Sequence, residues 1–203
     1  MLNIVIPTNN PGKCVRSMGS IIENTPKPFA LTVIAADQKV TRNRNHGLKL
    51  SKSGWTCFLD DDIIVPPGWI ERLLETANSQ KNIGMVGCKI VQGGNIISTG
   101  TGENGYPICG DEPDFCQREF VEEVNGVAEA CILIRTKLLK FDWLLSCHEG
   151  LDLSIRMRKH HYVTLYDGRV VVTHTGKLTK RNPLNFSHIW FHLKHPSTFP
   201  HAK

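Results

Sequence analysis

Short apolar runs alternate with helical periodicity over the first eighty residues, and this alternation constrains the fold more than any other feature. Leu2 to Ile6 reads as a buried strand, closed by Pro7-Thr8-Asn9-Asn10-Pro11-Gly12. Helical spacing follows from about Lys13 to Asn24, with Val15, Met18 and Ile22 on one face, and Pro26 and Pro28 end it. Leu31 to Ala35 is a second strand that finishes at Asp37, and Val40 to Ser51 is helical by pattern. Trp55 to Leu59 is a third apolar strand that runs straight into Asp60-Asp61-Asp62. Pro66-Pro67-Gly68 then opens a helix carrying Ile70, Leu73, Leu74 and Ala77. This order predicts an α/β fold: a mainly parallel sheet flanked by helices and joined by right-handed crossovers.

The rest of the chain is less regular. Gly84 to Val91 is a further strand, Gln92 to Phe120 reads as loops or short hairpins, and Val127 to Ile134 is apolar again. Glu149 to His161 is a short helix with Leu151 and Ile155 on one face. Tyr162 to Thr173 is predicted to be a hairpin turning at Asp167-Gly168. No repeat or composition shift marks a second domain in these 203 residues. The expected organisation is one domain over 1–176 and a basic, aromatic tail over 177–203. The longest apolar run, Ala130 to Ile134, is far below the ~20 residues of a membrane span. The N-terminus lacks a signal-peptide core. Seven cysteines without a CxxC pair point to reduced thiols in a soluble, cytoplasmic protein, with neither a zinc site nor a disulfide framework.

The net charge of +5 is unevenly placed. Lys177, Lys180, Arg181, Lys194 and Lys203 all lie in the stretch from His174 to Lys203, where no acid occurs. That stretch also holds five of the nine histidines, and the body before it is neutral, with 19 basic residues against 19 acidic ones. Glu103 to Glu129 is biased the other way, with eight acids and one base, Arg118.

In a parallel α/β sheet, ligands bind beyond the carboxyl ends of the strands, where Asp37 and Asp60-Asp61-Asp62 are expected. Three adjacent carboxylates repel one another and suit a compensating cation. Mg²⁺ and Mn²⁺ prefer such oxygen ligands and often bridge to phosphates. A solvated acidic turn before the Pro66-Pro67 helix is the competing reading.

Ile4-Val5-Ile6-Pro7-Thr8-Asn9-Asn10, Arg44-Asn45-His46-Gly47 and Leu59-Asp60-Asp61-Asp62 follow one another in the order of a VIPTYN opening, an RNxG segment and a DxD segment, and in this they resemble the family 2 glycosyltransferases of the GT-A fold. Leu59-Asp60-Asp61-Asp62 with Pro67-Gly68-Trp69-Ile70 resembles the DxD segment. Phe141-Asp142 resembles GFDE, Glu149-Gly150-Leu151-Asp152-Leu153-Ser154-Ile155-Arg156 resembles EDVDLxxR, and Val170-Val171-Val172-Thr173-His174 resembles the strand that ends in histidine.

The resemblance implies a metal-dependent, inverting transfer from a nucleotide-diphosphate sugar, most often a UDP-sugar, to an acceptor hydroxyl. It implies Pro7 and Thr8 along the nucleotide, Asp37 at the base, and Arg44 near the base or diphosphate. Asp60 and Asp61 fall in the ribose and metal environment, with Asp60 also a candidate metal ligand. Asp62 and His174 are the implied direct ligands of Mn²⁺ or Mg²⁺. Lys177, Lys180 and Arg181 are candidate diphosphate contacts. A packed strand-end histidine and a turn aspartate are the plain alternatives for His174 and Asp37.

Transfer needs a general base for the acceptor hydroxyl. Where many members read Glu-Asp, this chain reads Glu149-Gly150, so Asp152 or Glu149 would have to serve. Three residues apart on a helix, both can face one cleft, and Asp152 is preferred. Acids in a first helical turn are also favourable by ~0.3–1 kcal/mol without catalysis. The acceptor is expected to be a saccharide or lipid-linked glycan. A hydroxylated DNA base, flipped from its duplex, is the alternative suggested by the basic tail. A nucleotidyltransferase and an inactive GT-A binding module are the other classes, and an amphipathic helix around Leu184 to Lys194 also suits an anionic membrane surface.

Overall fold

The computed structural model describes residues 1–102, 106–177 and 185–196. The elements run β1 (Leu2–Pro7), a 3-10 turn (Pro11–Cys14), α1 (Val15–Asn24), β2 (Phe29–Ile34), α2 (Val40–Leu50), β3 (Trp55–Leu59), β4 (Ile63–Ile64) and α3 (Trp69–Asn78). They continue with β5 (Ile83–Gln92), β6 (Asn95–Ser98), β7 (Val121–Glu123), β8 (Cys131–Arg135), α4 (Glu149–Arg158), β9 (Val163–His174) and α5 (Phe186–Lys194). The sheet order is β2-β1-β3-β8-β5-β9-β4, with β6 on β5 and β7 on β9. Strands β2, β1, β3, β5 and β9 share one direction, and β8 runs against both β3 and β5. The expected mainly parallel, helix-flanked sheet is therefore present. Because β8 is antiparallel to β3, its start lies beside the carboxyl end of β3. Leu59 faces Cys131 there, and the Asp60 N–H donates to the Ala130 carbonyl at 2.9 Å.

Strand alternation divides the core between the two faces of the sheet. Ile4, Ile6, Cys57 and Leu59 pack on one face with Ile21 of α1 and Trp69 and Leu73 of α3. Val5 and Phe58 pack on the other with Leu48 of α2 and Leu153 and Met157 of α4. The inward face of α1 differs from the expected one. Val15 and Ile22 are exposed, and Ser17, Ser20 and Ile21 are buried. The small serines fit close to the sheet, and the Ser20 hydroxyl accepts the Val65 N–H at 3.3 Å.

The expected hairpin over Tyr162 to Thr173 is corrected, because β9 is one strand paired in parallel with β5. Asp167-Gly168 forms an irregularity where the register shifts opposite Cys88 and Lys89. Asp167 is buried, accepts from Thr76 Oγ1 at 2.6 Å, and pairs with Arg169 at 2.8 Å. Thr76 of α3, bonded to both Asp167 and Arg169, holds an Asp-Gly pair inside a strand that local turn chemistry would reverse.

Part of the basic tail folds back onto the body. Phe191 of α5 is fully buried against Leu145 and Leu151. Lys194 pairs with Asp142 at 2.8 Å and Asp152 at 2.7 Å, and His195 Nε2 lies 2.8 Å from Asp152. One of the tail cations is thus committed internally. No helix among the described residues is long and apolar enough to cross a membrane.

Asp152 is fully buried beneath α5 and also pairs with Arg156 at 2.8 Å. Burial alone would raise its pKa, but His195, Arg156 and Lys194 outweigh it and hold the carboxyl at about 2. The folded value lies below the unfolded one, so this stabilisation is full above pH ~4 and fades as pH falls toward 2. Asp152→Asn is expected to cost roughly 2 kcal/mol at pH 7. Its deficit against the wild type should shrink in thermal melts taken at successively lower pH.

Candidate active site

The carboxyl ends of β1 and β3, the lead-in to β8, the start of α4 and the end of β9 enclose a cleft of about 480 Å³. Pro7, Thr8, the acidic triplet, Glu129 and Glu149 all line it. His174 and Lys177 line it from the end of β9, and Lys13 from the 3-10 turn.

The three aspartates have three different partners. Asp60 pairs with Arg44 at 2.9 Å. Asp61 accepts a short hydrogen bond from the Thr8 hydroxyl. Asp62 faces His174 Nε2 at 3.4 Å, and its Oδ1 is buried without a hydrogen-bond partner. Burial raises the Asp62 pKa, His174 opposes the rise, and Asp60 and Asp61 add to it. Its backbone is well held, since its carbonyl accepts from both the N–H and the hydroxyl of Thr175 at 2.9 Å. Gly176 makes this approach possible, because a Cβ there would overlap Asp62 Oδ2. The Gln92 amide lies 3.3 Å from His174 Nδ1 and leaves Nε2 facing Asp62.

An orphaned carboxylate oxygen opposite an imidazole nitrogen fits a divalent cation with mixed oxygen and nitrogen ligands. No group of three or more His, Cys, Asp or Glu side chains among the described residues forms a metal cage. Asp62 and His174 would therefore hold part of a coordination shell, with phosphate oxygens and water to complete it.

Arg44 is almost fully buried and links two carboxylates of the cleft, reaching Asp60 at 2.9 Å and Glu149 at 3.3 Å. Burial and the neighbouring Glu129 raise the Glu149 pKa to about 7, against the opposing pull of Arg44. Glu129 Oε1 accepts a short hydrogen bond from the Gly150 N–H at the start of α4. A Cβ on Gly150 would overlap the Val127 carbonyl and lie 3.1 Å from Glu129 Oε1. Gly150→Asp is thus expected to destabilise the protein by about 2–3 kcal/mol through overpacking, measured by chemical denaturation, without raising turnover.

The structure brings Pro7, Thr8, Arg44, Asp60, Asp61, Asp62, Glu149, His174 and Lys177 to one cleft. It does not bring Asp152, which is turned toward α5. Asp37 lines a neighbouring depression with Trp143, and its carboxylate is held by the Lys39 N–H at 2.8 Å and by Arg42 at 3.0 Å. Those contacts lower its pKa. Lys180 and Arg181 lie outside the described residues. Sequence reasoning missed Glu129 and Lys13 as cleft residues. Glu129 is the one charged residue between Val124 and Ile134, and a lone carboxylate leading into a buried strand is a readable signal.

A model of the family described as "Glycosyl transferase family 2" matches residues 19–141. That span includes the triplet and Glu129, and ends before α4 and His174. Comparison with curated proteins finds no match. Among solved structures, the chain is similar to GalNAc-T7 crystallised with UDP, GalNAc and Mn²⁺, at 12% identity and a TM-score of 0.68. The likeness covers 94% of this chain and 47% of the other, so the chain spans about half the length of that protein. It is also similar to A197 from STIV, at 14% identity and a TM-score of 0.59, over 87% of this chain and 86% of that one. At these identities the likeness concerns the fold, whereas the family match over more than half the sequence establishes that the chain belongs to glycosyltransferase family 2.

Proposed function

We propose that the chain moves a sugar from a nucleotide-diphosphate sugar, a UDP-sugar in the first instance, to an acceptor hydroxyl with inversion. The observation that carries this reading is the Asp62 oxygen without a hydrogen-bond partner beside His174, in a cleft at the carboxyl ends of the strands. The GT-A neighbour crystallised with UDP and Mn²⁺ supports the choice of donor and metal. A divalent cation held by Asp62 and His174 would neutralise charge on the departing diphosphate.

The chain's own residues supply the rest. Lys13 and Lys177 place positive charge beside the phosphates. Pro7, Thr8 and Val40 line the part of the cleft that would take the nucleotide, and Asp37 lies in a separate depression. Arg44 ties Asp60 to Glu149. Of the two carboxylates suggested as the base, Asp152 is committed to cations outside the cleft and Glu149 lies inside it. The acceptor's proton therefore leaves toward the α4 side, with a saccharide or lipid-linked glycan as the acceptor class. The test is nucleoside diphosphate release from a panel of UDP-, GDP- and dTDP-sugars with Mn²⁺. Release that a chelator abolishes is expected; no release from any donor with Mn²⁺ or Mg²⁺ would sink the reading.

A further inference from the structure

We propose that Glu129 is the catalytic base, an assignment that rests on the transferase reading above. Gly150 is the first reason. The Val127 carbonyl leaves no room for a side chain there, and the Glu129 carboxylate lies beside the space a Cβ would enter. The antiparallel pairing of β8 with β3 brings residue 129 next to the acidic triplet, although nearly seventy residues separate them in sequence.

Glu129 and Glu149 both line the cleft, but their surroundings differ. Glu149 is buried and bonded to Arg44. Glu129 is only partly buried, and its Oε1 is fixed by the Gly150 N–H. No hydrogen bond to Oε2 is present among the described residues, so that oxygen can meet an incoming hydroxyl. A carboxylate anchored through one oxygen and open through the other has the geometry of a general base. Glu149 is then a positioning residue, acting through Arg44.

The step balances without a redox partner. The acceptor oxygen forms a bond to the anomeric carbon, whose bond to the diphosphate oxygen breaks. That electron pair leaves with the nucleoside diphosphate, and the hydroxyl proton passes to Glu129 Oε2.

The experiment compares wild type, Glu129→Gln, Glu129→Ala and Glu149→Ala on UDP-hexoses and UDP-N-acetylhexosamines with Mn²⁺. Gln retains an oxygen for the Gly150 N–H, which separates a chemical loss from a folding defect. Turnover of Glu129→Gln is expected to fall by about 10²–10⁴-fold. Calorimetric UDP–Mn²⁺ affinity should stay within about threefold, as for a residue acting only in the transition state. Azide has no proton to lose, so it should restore nucleotide release in Glu129→Ala with formation of a glycosyl azide, and should not do so in Glu149→Ala. Unchanged turnover in Glu129→Gln, or azide rescue confined to Glu149→Ala, overturns the assignment to Glu129 alone. No release by the wild type overturns the transferase reading and this assignment with it.

Discussion

Arg44→Met is expected to destabilise the protein by about 3–5 kcal/mol at neutral pH, because it removes the shared partner of two carboxylates. Arg44 is 3% exposed and sits between Asp60 and Glu149. Methionine would fill much of the volume and supply no charge. Burial already raises both acids against the opposing pull of Arg44, and without the guanidinium they rise further. In the variant, the folded state then binds protons that the unfolded state has released near neutrality, so stability falls as pH rises. Denaturant melts should show a smaller deficit at pH 5 than at pH 8. An equal deficit at both would mean that packing, rather than charge, is what Arg44 contributes.

The local features of this site are legible in the residue pattern, and its long-range features only where a family motif marks them, as at Arg44, Asp62, Glu149 and His174. Trp55 to Leu59 followed by three aspartates reads as a buried strand with a ligand-binding end, and β3 carries the triplet there. Each property depends on adjacent residues. Glu129 reaches the same cleft only through the pairing of β8 with β3, which no local pattern encodes. Asp152 is the opposite case. Its spacing from Glu149 suggests a shared face, but Lys194 and His195 draw it toward α5. The docking of α5 depends on Phe191 entering a small cluster with Leu145 and Leu151, contacts about forty residues away in the chain. Asp167-Gly168 shows the same limit, since Thr76 and Arg169 satisfy an aspartate whose local signal is a turn.

Asp62→Ala should separate activity from stability more sharply than any other change in the cleft. The substitution keeps the backbone carbonyl that Thr175 binds, so the link to the end of β9 survives. It gives up the contact with His174, but it also removes a buried oxygen without a hydrogen-bond partner and relieves repulsion from Asp60 and Asp61. Thermal stability without metal is therefore expected to stay level or rise, as happens when a functional site gives up a costly group. Turnover should move the other way. A Lewis acid at a leaving diphosphate is worth several kcal/mol, so release should drop by roughly a hundred- to a thousandfold. Binding provides a second readout, because a ligand that binds only the folded state raises its melting temperature. UDP with Mn²⁺ should raise the wild-type melting temperature and leave that of Asp62→Ala nearly unchanged. If the variant kept both the shift and the turnover, the cation would have to sit elsewhere, and the pairing of Asp62 with His174 would be only a packed contact at the end of β9.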